Sequence, residues 1–399
     1  MAQFILTLNV GSSSIKFSLA RAAEKLETLG RGAIEPLGPH ARLAFQPANG
    51  ADMARALDRG EGRDHEAAVA SVLTTIRSAF PAVDIGAVGH RIVHGGPRFT
   101  APALIDDAVY AELAALEPLA PLHQPHNLAG VRAARALFPI AAQVGCFDTA
   151  FHRGHAFVDD AYGLPRGFYD EGVRRYGFHG ISFEYVSARL QVIAPEVAKG
   201  RVVIAHLGNG ASMCAIREGR SVASTMGFST LDGLPMGTRP GQLDPGVMLY
   251  LMTAKGFDAE GLSDLLYKRS GLTGLSGVSN DWREIEAAGT RQAEDAIGYF
   301  VHRIRYELGG LAAILGGLDA LIFCGGIGEH SARLRSDVVE GMQWLGLALD
   351  PGANRTHAIE ISAPATRART FVVPTDEERR IAELTAKAAF SSTILSSPP

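Results

Sequence analysis

The chain has 399 residues, 38 lysines and arginines against 42 aspartates and glutamates, a net charge of −4 and a hydrophobic content of 47%. That length and apolar content can supply cores for two domains, and a near-balanced charge with no basic block argues against a nucleic-acid surface. No apolar run is long enough to span a bilayer and no signal-peptide pattern opens the chain, so a cytoplasmic protein is expected, with Cys146, Cys214 and Cys324 as reduced core thiols.

In chain order, Phe4–Leu19 comes first. An apolar run stops at Asn9, a turn of Gly11 and three serines follows, and a clean alternation begins. Ile15, Phe17 and Leu19 point to one side, and Ser12, Ser14, Lys16 and Ser18 to the other, which reads as strand, small-residue turn, strand. The turn's N–H groups and hydroxyls can ring a phosphate, although a serine-rich hairpin with a solvated face is the simpler reading of this segment alone. No Gly-Lys-Ser/Thr ending follows, so it is not a P-loop.

A helical stripe (Val69, Val72, Leu73, Ile76, Phe80) covers His65–Phe80. A strand is expected at Ile85–Val93, ending in His94-Gly95-Gly96-Pro97, with helices at Ala108–Leu116 and Leu128–Leu137 and a strand at Ile140–Phe147. Tyr162–Gly180, rich in glycine and aromatics, reads as loop at a domain junction. Val202–Leu207, the turn Gly208-Asn209-Gly210-Ala211-Ser212 and the strand Met213–Ile216 then repeat the opening device, which suggests two related α/β domains. The longest helix is expected at Arg291–Leu315, followed by the strand Ala320–Cys324, the turn Gly325–Gly328 and, after Thr375, a helix over Glu377–Phe390. The closing Ser-Ser-Pro-Pro is expected to fray.

Several residues stand out chemically. Arg91 and Arg239 lie on glycine-rich loops, where a planar guanidinium grips carboxylate or phosphate. Asp148 ends an expected strand, a position suited equally to a functional group and to a helix N-cap. His123 and His179 read from the sequence as loop histidines or as site residues. No H-e-x-x-H or paired C-x-x-C spacing points to zinc, and Gly325-Gly326-Ile327-Gly328 is an incomplete dinucleotide fingerprint.

Together these segments resemble the acetate kinase family, acyl-phosphate-forming members of the sugar kinase, actin and heat-shock-ATPase superfamily. The resemblance is carried by Asn9–Ser14, Gly89–Gly96, Pro121-Leu122-His123, Phe147–His152, Tyr176–Gly180 and His206–Gly210. It continues through Met236–Arg239, Ser279-Asn280-Asp281, Gly325–Glu329 and Glu377-Glu378, in order along nearly the whole chain. It implies an α/β fold of two duplicated domains of the actin-like ATPase (ribonuclease H-like) type with an interdomain active-site cleft. Residues 1–150 would form the acyl-substrate domain, with 376–399 packing back on it, and 151–375 the nucleotide-binding domain.

By position, the resemblance implies that Asn9, Asp148 and Glu377 surround Mg²⁺, with Mn²⁺ as a substitute, and that Lys16 cradles phosphates. His206, Leu207, Gly208, Asn209 and Gly210, Asp281, Trp282 and Arg283, and Gly326, Ile327, Gly328, Glu329 and His330 would bind ATP or ADP. Arg91 would hold the carboxylate substrate, with Val93, Leu122, His123 and Phe178 as its pocket. Arg91, Asp148, His179 and Arg239 would act in catalysis. Gln124, Thr230, Trp282, His330 and Asp376 depart from the usual family residues, at positions bearing on acyl-pocket size and nucleotide preference.

The residue chemistry accords with this. A carboxylate acceptor is already ionised at neutral pH and needs no base; cations that let two anions approach are what it requires, and Asp148 on this view chiefly serves the metal, or hydrogen-bonds an arginine or water. The expected activity is reversible transfer from ATP to acetate, giving acetyl phosphate and ADP. Propionate or butyrate kinase is the near rival, and an actin- or chaperone-like nucleotide-switched binding protein the rival of another class. A homodimer without membrane or nucleic-acid partners is implied.

Overall fold

The computed structural model describes residues 3–394 apart from Ser12, Ser13, Glu24, Pro39 and Arg59. The turn serines Ser12 and Ser13 and the closing Ser-Ser-Pro-Pro therefore lie outside the described residues. The chain divides into two compact units, Met1–Phe151 with Asp376–Pro399, and His152–Thr375.

The first unit is built on an eight-stranded sheet of β1 (Gln3–Val10), β2 (Ile15–Ala22), β3 (Glu27–Ile34), β4 (Arg42–Pro47), β5 (Met53–Ala56), β6 (Ile85–Ile92), β7 (Ala103–Leu104) and β8 (Ala142–Phe147). The strand order is β5-β4-β3-β2-β1-β6-β8-β7. β1, β6 and β8 run parallel, and the β1–β5 meander is antiparallel. Leu6, Leu8, Val10, Ile15, Phe17 and Leu19 form one face, packed against Val69, Val72, Leu73 and Ile76 of the helix His65–Ala79. The opposite face, with Ile5, Ala20 and Ala87, meets Ala382 and Phe390 of the C-terminal helix Glu377–Ile394.

That covering helix removes the solvated face expected of the opening hairpin. Ser18 is only 2% exposed and its hydroxyl bonds to that of Thr7 at 2.7 Å, whereas Lys16 stays exposed. Close approach of the helix depends on Gly89 of β6, where a Cβ would strike Thr385 and Ile381.

The second unit holds β9 (Arg201–Leu207), β10 (Ala211–Arg217), β11 (Arg220–Ser224), β12 (Ala320–Cys324) and β13 (Arg369–Val372), in the order β11-β10-β9-β12-β13. β9, β12 and β13 are parallel and β9-β10-β11 antiparallel. The order β3-β2-β1-β6-β8 of the first unit is the same pattern, so the duplication suggested by the two hairpins extends to five strands. The helix following each fifth strand belongs to the opposite unit: Gly180–Ile193 packs on β9, and Glu377–Ile394 on β1 and β6.

The structure differs from the sequence expectation in several places. β3–β5 and the helices Pro245–Lys255, Ala259–Lys268, Gly271–Ser276 and Trp282–Ala287 lie in stretches where the sequence reading placed no element. One helix begins at Gln124, not Leu128, because Pro125 fits its first turn. β8 begins at Ala142, and Ile140 is 89% exposed ahead of it. Gly325–His330 is a short helix rather than a turn, and Tyr162–Gly180 contains the helix Arg166–Asp170 within an otherwise irregular run.

Candidate active site

In the first unit the C-terminal ends of the three parallel strands place functional side chains together, as open α/β sheets do. Asn9 lies near the end of β1, Arg91 near the end of β6 and Asp148 just past β8; Glu377 starts the C-terminal helix. Arg91 donates to Asp148 through Nη2 at 2.7 Å and through Nε at 3.1 and 3.2 Å. Its Nη1 donates to Asn9 Oδ1 at 3.3 Å and stands 3.8 Å from Glu377 Oε2.

Asp148 is 1% exposed. Burial raises its carboxyl, against the opposing pull of Arg91. Burial alone would lower Arg91, but Asp148 and then Glu377 hold the guanidinium above its ordinary value. Of the two readings of Asp148, functional group or helix N-cap, the carboxylate follows the first: it accepts from Arg91. Lys16 pairs directly across from Asn9 in the β1–β2 ladder and so shares its face.

The loop after β6 is held by residues the sequence did not single out for that task. Asn127 accepts from the Val93 N–H at 2.9 Å and donates to the Val10 carbonyl at 2.7 Å. Gln124 is buried and clamps both backbone groups of His94 at 3.0 and 3.2 Å. Val93 is buried, and Leu122 and His123 are half-buried at the start of the helix Gln124–Leu137. Phe178, expected beside them, is a buried residue of the second unit.

In the second unit His179 precedes the helix Gly180–Ile193 with φ 56°, a left-handed backbone that costs a non-glycine residue about 1 kcal/mol. Its Nδ1 is hydrogen-bonded with Ser212 Oγ at 2.9 Å, and its ring stacks on His206 at 4.5 Å. His206 Nδ1 meets Ser182 Oγ at 2.8 Å, and that hydroxyl meets Thr375 Oγ1 at 2.7 Å. Arg239 donates to the Thr230 carbonyl at 2.9 Å. A Cβ on Gly210 would lie 3.1 Å from His179 Nε2 and 3.2 Å from Arg239 Nη2, so both side chains close on the turn between β9 and β10. At Gly237 a Cβ would collide with Asn209, whose carbonyl accepts from the Gly237 N–H at 3.0 Å.

Beside that turn lies a cavity of about 580 Å³, within the range of small-ligand sites. Gly208 and Asn209 line one part, Gly326, Ile327 and His330 another, and Asp281, Trp282 and Arg283 a third. Asn280, Glu286 and Ser331 complete the lining. Asn280 belongs to the family motif Ser279-Asn280-Asp281, whereas Glu286 and Ser331 carry no sequence signal. Asp281 accepts from the backbone and side chain of Arg283, which brings its carboxyl to about 2. Trp282 packs on Phe300 at 5.5 Å.

Six residues expected at the nucleotide are not part of this lining: Lys16, which belongs to the first unit, and His206, Leu207, Gly210, Gly328 and Glu329. Leu207 and Gly328 are buried outside the cavity lining, and Glu329 accepts from the N–H groups of Gly325 at 2.8 Å and Thr375 at 3.1 Å. Glu329 thus secures the helix Gly325–His330 and the segment after β13.

The family model of the acetokinase family matches residues 4–383. The chain is 54% identical over 394 residues to the acetate kinase of Methylocella silvestris, covering 96% of this chain and 98% of that protein. Among solved structures, Porphyromonas gingivalis acetate kinase superposes with a TM-score of 0.86 at 40% identity, covering 96% of this chain and 99% of that one. A propionate kinase from Francisella tularensis gives a TM-score of 0.90 at 33% identity, with 97% and 100% covered. With matches of that length and identity, the chain belongs to the acetokinase family.

Proposed function

We propose that this protein is a cytoplasmic acetate kinase, transferring the terminal phosphoryl group of ATP to acetate, reversibly and by direct in-line displacement. The observation that carries the reading is the state of Asp148: buried and occupied by three hydrogen bonds from Arg91, it is spent as a general base. A hydroxyl acceptor requires a base; an ionised carboxylate requires cations. In this reading the Arg91 cluster receives the carboxylate, with Val93, Leu122 and His123 near it. His179 and Arg239 steady the charge on the transferring group, and the 580 Å³ cavity receives the adenosine portion of ATP.

A divalent ion fits the first cluster. In this reading Asn9 Oδ1 and the Glu377 carboxylate, beside the Arg91–Asp148 pair, would hold Mg²⁺ or Mn²⁺, which keep several waters and substrate phosphate oxygens as their remaining ligands. When bound, the ion neutralises phosphate charge. Glu377→Gln is expected to raise the Mg²⁺ concentration for half-maximal rate about tenfold at fixed ATP. An unchanged midpoint would leave Glu377 as a helix N-terminal acid, worth about 0.3–1 kcal/mol of stability.

His330 lines the cavity with its ring edge-on to His357 at 6.2 Å. His330→Asn is expected to change the ATP-to-GTP ratio of kcat/KM by about threefold to tenfold, the worth of one hydrogen-bond partner at the base. Identical ratios would remove His330 from base recognition. A homodimer is also expected. The helix Pro245–Lys255 buries none of its residues and leaves Leu249, Tyr250 and Met252 exposed, a face that a second copy would cover.

The deciding experiment is ATP consumption with hydroxylamine trapping of acyl phosphate across formate, acetate, propionate and butyrate. Acetate should give the highest kcat/KM. Propionate in first place would make the propionate kinase reading correct, and turnover indifferent to any acid would point to a nucleotide-switched binding protein.

A further inference from the structure

A second polar cluster lies beneath the loop that carries His179. His152 is fully buried; its Nε2 is 3.0 Å from the carbonyl of Phe178, the residue before His179, and its Nδ1 is 2.8 Å from Ser221 Oγ. The same hydroxyl lies 2.7 Å from His155 Nε2 and 3.1 Å from Cys214 Sγ.

Proton bookkeeping gives this chain one direction. A carbonyl only accepts, so His152 carries its proton on Nε2 and leaves Nδ1 bare. Ser221 must then donate its single proton to Nδ1, and its lone pairs accept from His155 Nε2–H and the Cys214 thiol. Burial, and secondarily His155, keeps His152 well below the ordinary histidine range; burial and then Arg153 bring His155 to about 4. Burial pushes Cys214 up to about 12, so it stays a thiol. Gly177 is shaped for the same purpose, because a Cβ there would lie 2.6 Å from the His152 ring.

We propose that His152, oriented by Ser221 and His155, is a positioning residue for phosphoryl transfer that sets the left-handed backbone of His179 through the Phe178 carbonyl. The Phe178–His179 peptide plane determines φ of His179, and the hydrogen bond from His152 fixes that plane. The His179 ring is held separately, by Ser212 and His206. Loss of the relay would therefore leave those ring partners present but turn the ring away from the reacting group. The inference rests on the proposed role of His179.

The test is a double-mutant cycle on the whole enzyme. His152→Leu should lower kcat about tenfold or more while KM for ATP and for acetate stays within about twofold, and it should cost nothing further in a His179→Ala background. Multiplying losses, or parent kcat in His152→Leu, would overturn the relay. Parent kcat in His179→Ala would instead overturn the role of His179 itself. His155 provides a milder pair if His152→Leu does not fold. His155→Gln retains an N–H donor at the Nε2 position and should keep parent kcat, whereas His155→Leu should lose about threefold; equal rates in the two would overturn the proposal. Long-range ¹⁵N spectra should show His152 as the neutral Nε2–H tautomer, and the Nδ1–H form would contradict the assigned direction.

Discussion

Arg91→Ala is expected to lower kcat/KM at least a hundredfold and to destabilise the fold as well. On the proposed role of Arg91, the activity loss comes from removing a cation where two anions would meet, worth about 3 kcal/mol or more in the transition state. The stability loss follows from Asp148, which is 1% exposed and takes three hydrogen bonds from this one side chain. Stripped of its partner, a buried carboxylate typically costs about 3–5 kcal/mol. The pH dependence has a definite sign. Burial raises the Asp148 carboxyl and Arg91 opposes this, so without Arg91 the folded value rises further above the unfolded one. The folded variant then binds more protons than the unfolded chain, and its stability falls as pH rises through the folded value. Thermal melts of parent and variant should thus converge toward about pH 4 and diverge toward pH 8. Parallel melting curves over that range, or near-parent turnover, would show that the pair does not carry the charge balance assigned to it.

Arg239→Ala should cost comparable activity with little change in melting temperature. Arg239 is partly exposed and donates to the Thr230 carbonyl, a neutral partner, and a hydrogen bond of that kind contributes only about 1 kcal/mol. Its guanidinium reaches the Gly210 turn beside His179 Nε2, where charge on the transferring group would be met. A loss of about a hundredfold in kcat, with KM for both substrates changed less, is the signature of an interaction made in the transition state. Arg239→Lys should recover little, because a single ammonium does not reproduce the planar fork. Near-parent kcat in the alanine variant would remove Arg239 from the chemistry. Equal activity losses with unequal stability losses would separate the arginine that neutralises a buried carboxylate from the one that donates to a backbone carbonyl.

Local pattern was enough for the elements that bury a regular stripe. The long helix ends at Leu315 as its 3.6-residue period requires, and the helix from His65 spends Val69, Val72 and Ile76 on the sheet. The two glycine turns after β1 and β9 were legible because each interrupts an apolar run that only a buried central strand explains. The meander β3–β5 was not legible. β5 buries none of its residues, and β3 departs from simple alternation, so neither shows the period-2 signal of a half-buried strand. Among the helices between Pro245 and Ala287, Pro245–Lys255 buries nothing and Gly271–Ser276 and Trp282–Ala287 span only six residues each, so these three carry little local signal, whereas Ala259–Lys268 is amphipathic and its period is there to be read.

For the site, residue type and loop context were available from the chain alone: arginines on glycine-rich loops, an aspartate at a strand end, a histidine between Phe178 and Gly180. Partnership was not. Arg91 and Asp148 lie 57 positions apart and meet because β6 and β8 are parallel neighbours. Glu377 reaches them because the helix after β13 packs against β1 and β6. Glu329 accepts backbone N–H groups, and among the roles open to Asp148 (metal, arginine or water) the fold supplies Arg91, because packing decides which donors come within about 3 Å. A sequence determines which groups a chain can offer and where its regular elements begin. Burial, pairing and proton placement are properties of neighbours far apart in the chain, and only the packed sheets and helices decide them.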